Sequence, residues 1–211
     1  SAIVAIIGII LRTFVKKKPY TDVGDIMLGF AILMVGMQTM SGAVSPLKEN
    51  PHFVSLLTMF KNPFMGILVG IAFTAVLQSA SASVGILQAL SITGSITFAA
   101  ALPITMGIGV GAACPVLLSS IGTNKNGKRT ALIYLLNDLF GMIFWSIVFY
   151  SINAVVHFTF MDEVMTPFRT ALLNSVFRIL TILVLAPFIS KIEKLVFILI
   201  KDTEEDNEEQ A

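Results

Sequence analysis

The chain has 211 residues, of which 55% are hydrophobic and only 13% are charged, and its mean hydropathy is +0.87. Soluble domains carry about 25% charged residues, so this composition excludes an ordinary soluble protein and indicates an integral membrane protein with helical spans. The 14 basic and 13 acidic residues nearly cancel, so the positions of the charges carry more information than the net charge of +1.

The first three segments differ in length and polarity. Ser1 to Val15 is apolar and predicts a short or truncated helix that ends at the basic run Lys16 to Lys18. Gly24 to Val44 is long enough for one crossing at about 1.5 Å per residue. Pro46 to Asn62 mixes charges with apolar residues at a 3–4 spacing, which predicts a helix lying in the membrane interface. Without a signal peptide or an initiator Met, we expect the sequence to continue something longer.

The third and fourth apolar stretches are each interrupted. Pro63 to Ser91 contains the polar run Gln78 to Ser83, and Ile96 to Ser120 contains the run Gly107 to Pro115. Glycine at every second position followed by proline is poor helix-forming sequence. We therefore predict a broken helix with loosened backbone there, of the kind that lines cavities in transporters.

The last two apolar stretches carry a few intramembrane polar residues and end in an acidic tail. Ala131 to Phe158 includes Asn137 and Asp138, and Phe168 to Ser190 continues as a basic and apolar segment to Lys201. Residues 202–211 are too acidic to bury anything, which predicts a disordered tail or a linker to a further domain. The predicted organisation is a transmembrane unit over residues 1–201 and an acidic tail over residues 202–211.

The positive-inside rule predicts the topology. The basic run Lys16 to Lys18 and the basic residues Lys125, Lys128 and Arg129 should all be cytoplasmic. Both clusters fall on that side only if the third stretch enters the membrane and returns, as a re-entrant hairpin over about residues 63–92. We therefore expect a multi-pass protein of the cell membrane, a bacterial plasma membrane, with its C-terminal tail in the cytoplasm.

The polar run Gln78 to Ser83 requires partners that lipid cannot supply, because an unpaired polar group in the bilayer core costs several kcal/mol. At a hairpin tip, the first backbone N–H groups of the returning helix attract an oxyanion. Gln78, Ser79, Ser81 and Ser83 would add neutral donors that allow the anion to leave again. The alternative is that these small polar residues serve close helix packing.

Coupling-ion ligands are predicted in two places. Carbonyl oxygens of Gly107, Gly109 and Gly111 suit Na⁺ if the backbone is unwound there, and a packing surface is the alternative. Asn137 and Asp138 are candidates for a cation ligand or a proton carrier, since an acid inside a membrane usually faces the protein interior. An acid capped near the cytoplasmic interface is the alternative for Asp138, and Arg178 could pair with it.

The sequence shows no catalytic arrangement, no glycine-rich phosphate loop and no metal-ligand spacing. The histidines, His52 and His157, lie apart near predicted outer loops. We therefore expect neither an enzyme nor a bound cofactor, with Na⁺ as the coupling ion, and no nucleic-acid partner.

The chain resembles the sodium/phosphate cotransporter family, whose signature is Gln-Ser-Ser-Ser-Ala in a re-entrant hairpin of each of two inverted repeats. The matching run here is Thr74-Ala75-Val76-Leu77-Gln78-Ser79-Ala80-Ser81-Ala82, with alanine at the central serine. The flanks resemble the second repeat at Gly36-Met37-Gln38-Thr39-Met40-Ser41, Pro46-Leu47-Lys48-Glu49-Asn50-Pro51, Gly85-Ile86-Leu87-Gln88-Ala89-Leu90, and Ile121-Gly122-Thr123-Asn124-Lys125-Asn126-Gly127-Lys128-Arg129.

The resemblance implies a carrier half that imports inorganic phosphate with Na⁺ by alternating access. Phosphate would contact the hairpin residues, and Thr74 would join the candidate ion ligands. One hairpin provides half of a site, so a missing N-terminal repeat or a second subunit would complete it. Two alternatives stay open: a carrier of another small anion, and a non-transporting assembly or sensing subunit.

Overall fold

The computed structural model describes residues 2–15, 17–44, 46 and 62–201. This part of the chain is almost entirely helical, as the sequence predicts. Its α-helices are α1 (Ala2–Phe14), α2 (Lys18–Val44), α3 (Pro63–Leu77), α4 (Ala80–Ile92), α5 (Phe98–Gly111), α6 (Ala113–Ser120), α7 (Lys125–Val156), α8 (Pro167–Leu185) and α9 (Ile189–Leu199). Short 3₁₀ segments follow α7 and α8 at Thr159–Asp162 and Ala186–Phe188.

The described helices include four segments that are long and apolar enough to cross a membrane. They are Lys18–Gly36, Phe98–Ser120, Lys125–Val156 and Pro167–Leu199. The prediction of a multi-pass helical membrane protein is therefore confirmed. Helices α1, α3 and α4 are also apolar but have only 13 to 15 residues each, fewer than the ~20 that one crossing needs. The predicted interfacial helix lies outside the described residues, apart from its ends Pro46 and Asn62.

Helix α5 lies at the centre of the fold, because every residue from Ala99 to Gly111 is buried. It contacts α3, α4, α7 and α8. The core cluster around it includes Leu87 of α4 and Met165 from the segment before α8. A helix that is apolar on all sides needs neighbours on all sides, which α5 has.

Helices α3 and α5 run in the same direction and pack closely through glycine. A Cβ added at Gly107 would strike the carbonyl oxygen of Ile67, and one added at Gly70 would strike that of Ile104. At Gly111 an added Cβ would come within 2.6 Å of the carbonyl oxygen of Ile71. Small residues let membrane helices approach until their backbones touch, and this contact fixes the position of α3 along the axis of α5.

The predicted helix break is present, but it lies at Ala112, between α5 and α6. The loosened backbone predicted at Gly107 to Gly111 is wrong, since these residues are helical and the Ala112 N–H still donates to the Ile108 carbonyl. Tertiary packing against α3 offsets the low helix propensity of glycine. Pro115 fits in the first turn of α6, because the N–H groups of a first turn have no acceptor within the helix and proline has no N–H.

One end of the bundle is held together by the segment between α7 and α8. The Phe98 N–H donates to the Glu163 carbonyl, the Met165 N–H donates to the Ile96 carbonyl, and Gln88 of α4 donates to the carbonyl of Pro167. These bonds place the end of α4, the start of α5 and the start of α8 together. Because α3 runs parallel to α5, its first turn points to this same end.

The opposite end carries the basic residues of α7. Arg129 is buried and donates twice to the carbonyl of Ile200, at 3.1 and 2.7 Å, while its guanidinium lies 4.1 Å from the centre of the Phe197 ring. The end of α9 is thereby fixed to the start of α7. Lys125, Lys128 and Lys201 therefore lie at one end of the molecule, the arrangement that the positive-inside rule anticipates.

Helices α1 and α2 form an antiparallel pair beside this bundle. A carbon added at Gly24 would come within 2.9 Å of the Gly8 carbonyl oxygen. Arg12 and Asp25 form an exposed ion pair at 2.6 Å, which stabilises the pair by no more than ~1 kcal/mol. Helix α2 contacts α4, so the α3–α4 hairpin is enclosed from two sides.

Candidate functional site

The polar run predicted at the hairpin tip forms a tight turn between α3 and α4. Gln78 ends α3 in the left-handed conformation, with φ of 53° and its N–H bonded to the Thr74 carbonyl. Ser79 then caps α4, because its Oγ accepts from the Ala82 N–H at 3.2 Å. A serine at the N-cap and a non-glycine left-handed residue before it define a turn with a fixed geometry.

The side chains of the turn divide into a buried pair and an exposed set. Thr74 donates to the Ser83 hydroxyl at 3.0 Å, and Ser83 donates to the Ser79 carbonyl at 3.0 Å, so these two buried side chains bind α3 to α4. Gln78 and Ser81 are exposed, and the Ser79 and Ser81 hydroxyls lie 3.3 Å apart. The exposed set is the part of the turn that can meet a solute.

The predicted glycine ligands face two different sides of α5. Gly107 and Gly111 lie against α3. Gly109 points to the opposite side, where an added Cβ would lie 3.8 Å from Oδ2 of Asp138. Glycines four apart share a helix face and the one between them does not. The sequence-predicted glycine set is therefore not a single site.

A cavity of about 170 Å³ lies between α5, α7 and α8. Three of the predicted ion ligands line it, namely Gly109, Asn137 and Asp138. Opposite charges, aromatic rings and a hydroxyl share its wall. Its lining residues are Gly109, Tyr134, Asn137, Asp138, Phe177, Arg178, Thr181 and Ile182.

Two buried oxygen atoms at this cavity have no hydrogen-bond partner in the described part of the chain. Oδ1 of Asp138 accepts from the Asn137 amide at 3.2 Å, whereas Oδ2 is buried and unpartnered. Oγ1 of Thr181 is likewise buried and unpartnered. Buried polar atoms are nearly always hydrogen-bonded, so unpaired atoms lining a cavity indicate a place for a ligand or for water.

Asp138 and Arg178, which the sequence suggested as a pair, lie near each other without forming an ion pair. Both side chains line the cavity, but within the described residues they form no ion pair or hydrogen bond with each other. No group of three or more His, Cys, Asp or Glu side chains occurs among the described residues. The oxygens of Asn137, Asp138 and Thr181 are those that could hold a small cation such as Na⁺.

The hairpin turn and the cavity are separate. Ile67 lies level with Gly107 and Ile71 with Gly111. At a rise of about 1.5 Å per residue, Gln78 lies about 14 Å farther along the bundle than Gly109, on the other side of α5. The structure brings Gly109, Asn137 and Asp138 together without the turn.

Sequence reasoning missed Thr181 and Tyr134 as members of this cavity. The spacing held a signal, since Arg178 and Thr181 are three residues apart on α8 and Tyr134 and Asp138 are four apart on α7. Such pairs lie on one helix face. The spacing does not show that these two faces of α7 and α8 meet each other beside α5, because that is a tertiary contact.

Long apolar helices, a polar hairpin turn and a charged cavity among the spans define a polytopic membrane protein. A family model described as Na⁺/Pi-cotransporter matches residues 33–165, more than half of the chain. The chain therefore belongs to the sodium/phosphate cotransporter family, and the resemblance seen in the sequence is confirmed.

A curated relative extends the match over nearly the whole chain. The uncharacterised protein YqeW of Bacillus subtilis (strain 168) is 22% identical over 203 residues, which are 93% of this chain and 64% of that protein. The chain thus spans less than two thirds of that relative's length. No solved structure matches the chain.

Proposed function

We propose that this chain is part of a secondary active carrier that imports inorganic phosphate together with Na⁺ by alternating access. The observation that carries the proposal is membership of the cotransporter family over residues 33–165, a range that includes the hairpin and half of the residues that line the cavity. The family description names both solutes. A carrier needs binding groups within its spans that hold an ion and release it again.

The hairpin turn supplies groups of this kind for an anion. The backbone N–H groups of Ala80 and Ser81 begin α4 and have no acceptor within the helix. Together with the Ser81 hydroxyl and the Gln78 amide, they offer neutral donors at the positive end of a helix dipole. Neutral donors bind an oxyanion less tightly than an arginine clamp does, which suits a cargo that must leave.

The hairpin is proposed to be re-entrant. Its helices α3 and α4 are too short to cross, and the start of α3 and the end of α4 point to the same end of the bundle. With the basic ends of α7 and α9 in the cytoplasm, the turn would approach from outside and point inward. The proposed setting is a bacterial plasma membrane with the acidic tail in the cytoplasm.

A second set of groups is proposed to complete the site. Gln78 and Ser81 are exposed in this chain, so a bound phosphate would keep one side uncovered. A missing N-terminal repeat or a second subunit would supply the facing hairpin, as in carriers built from inverted repeats. That this chain covers 64% of YqeW is consistent with a longer complete protein.

Uptake of ³²P-phosphate into proteoliposomes of the full-length protein tests the proposal. We expect uptake to require an inward Na⁺ gradient. Gln78→Asn should raise the KM for phosphate about 10-fold or more, because it withdraws a hydrogen bond to a charged ligand. Asparagine accepts the left-handed conformation, so this variant keeps the turn intact.

The matched control is Ser119→Ala, which removes an exposed hydroxyl that bonds only within its own helix, to the Val116 carbonyl. It should leave uptake unchanged. Folded protein without phosphate uptake under any gradient would reject phosphate import. Uptake of a different anion would then support the other-cargo alternative, and no flux with any anion would support the non-transporting one.

A further inference from the structure

Two opposite charges share the cavity between α5, α7 and α8 without touching. The carboxylate of Asp138 and the guanidinium of Arg178 both line it, and neither forms an ion pair with the other or with another described residue. A guanidinium has five N–H donors and a carboxylate has only acceptor oxygens. Side chains this complementary normally pair when they are close, so their separation leaves room for something between them.

The Asn137 amide holds one oxygen of the carboxylate, and the other oxygen has no hydrogen-bond partner among the described residues. The Asn137 amide donates to Oδ1 of Asp138 at 3.2 Å, while Oδ2 is buried without a partner. Thr181 is 4% exposed, and its hydroxyl is also unpartnered. An unsatisfied buried acceptor is unfavourable, and more so when it is charged, so a ligand that donates to Oδ2 would be favoured.

The cavity is large enough for a small tetrahedral anion. Its volume of about 170 Å³ is several times the ~30 Å³ that one water molecule occupies in the liquid. Phosphate has five non-hydrogen atoms. The Phe177 ring and the Ile182 side chain add an apolar part to the wall.

We infer that this cavity binds a protonated oxyanion of the phosphate class. Its negative oxygens would accept from Arg178 and Thr181, and its hydroxyl group would donate to the free Oδ2 of Asp138. Phosphate near neutral pH carries one or two such protons, and arsenate does the same. Sulfate carries none, so it would turn lone pairs toward the carboxylate and leave that oxygen unsatisfied.

The guanidinium decides between this ligand and a cation. Oxygens of Asn137, Asp138 and Thr181 alone would suit Na⁺, as the sequence predicts for the first two. Arg178 in the same cavity repels a cation, and this repulsion grows as water is excluded. A ligand that is negative overall and also donates a proton satisfies both charges, so the inference replaces Na⁺ by phosphate as the partner of Asp138.

The inference rests on the proposed function only for the choice of phosphate as the probe. The cavity lies on the other side of α5 from the hairpin turn, so variants of either place report separately. Loss of uptake with intact cavity binding would count against the carrier and not against this site. If uptake is intact but no phosphate binding depends on the cavity residues, the result would count against this site and not against the carrier.

Equilibrium binding of ³²P-phosphate to the full-length protein in nanodiscs tests the site. For the part of the binding that Arg178→Gln removes, we expect arsenate to compete about as well as phosphate and sulfate at least ~100-fold less well. Arg178→Gln should weaken phosphate binding about 10- to 100-fold. Asp138→Asn should weaken it about 10-fold and also let sulfate compete, because an amide can donate where a carboxylate cannot.

Two further variants keep the test sound if a charge change affects folding. Thr181→Val preserves shape and removes an unsatisfied hydroxyl, so it should fold normally and still bind phosphate several-fold more weakly. Glu193→Gln removes an exposed carboxylate on α9 and should change nothing. Equal competition by sulfate for the part of the phosphate binding that Arg178→Gln removes would overturn the inference. Binding of ²²Na⁺ without phosphate that disappears in Asp138→Asn would also overturn it, in favour of a cation site.

Discussion

Adding one methyl group at Gly107 tests the close contact between α3 and α5 that positions the hairpin. The new carbon would strike the Ile67 carbonyl oxygen and lie 3.0 Å from the Cα of Gly70. Both obstacles are backbone, so the helices must move apart. Overpacking of this kind costs about 1–3 kcal/mol, against a gain of up to ~1 kcal/mol from replacing glycine by alanine in a helix.

Gly109→Ala is the matched comparison, because it makes the same chemical change two residues away on the same helix. Its methyl group would meet only ordinary contacts, the nearest at 3.8 Å from Oδ2 of Asp138. The propensity gain is common to both variants, so their difference isolates the packing cost. A difference of ~2 kcal/mol corresponds to about 4–8 °C in Tm for a chain of this size.

Thermal unfolding of the full-length protein in detergent micelles measures this difference. We expect Gly107→Ala to melt several degrees below Gly109→Ala, with Gly109→Ala at or above the unaltered protein. If the two variants melt together, or if Gly107→Ala is the more stable, then α3 and α5 do not touch through these glycines. The position of the hairpin turn relative to the cavity would then be wrong as well.

Two further predictions concern the hairpin. Ser83→Ala removes a buried hydroxyl that both accepts and donates a hydrogen bond, so it should lower the free energy of unfolding by about 1–3 kcal/mol. Ser81→Ala at the exposed position should change that free energy by less than ~0.5 kcal/mol. Equal melting temperatures of the two variants would contradict the buried pair of Thr74 and Ser83. In a cysteine-free background, Pro63→Cys and Ser95→Cys should react with an impermeant thiol reagent from the same membrane face, and Lys125→Cys from the opposite face. Labelling of the first two from opposite faces would exclude a re-entrant hairpin.

The helices themselves follow from the sequence. Apolar runs such as Ala131 to Phe158 predict spans because a bilayer core about 30 Å thick requires every backbone group to be bonded within its own helix. The observed α7, Lys125–Val156, differs from that run mainly in starting two turns earlier, where Asn124 caps it. Local features of this kind, a cap residue or a polar interruption, are visible without any knowledge of neighbours.

The hairpin turn could also be predicted from the sequence, but which of its polar side chains are buried and which are exposed could not. Gln78 and the serines after it predict a break because lipid cannot satisfy them. The structure shows that Ser83 and Thr74 satisfy each other, which leaves Gln78 and Ser81 exposed. Which hydroxyls pair and which face outward depends on how two helices meet, and a pattern along one chain does not contain that.

The sequence by itself determined that this is a helical membrane protein of the cotransporter family with a polar interruption in its third apolar stretch. Only the tertiary structure decided that Gly107 packs against α3 while Gly109 faces a cavity, and that Asp138 and Arg178 line this cavity without forming an ion pair. The physical reason is that spans are set by local burial and hydrogen bonding, whereas a binding cavity is set by contacts between residues far apart in the chain. An apolar helix such as α5 shows no amphipathic face from which those contacts could be predicted.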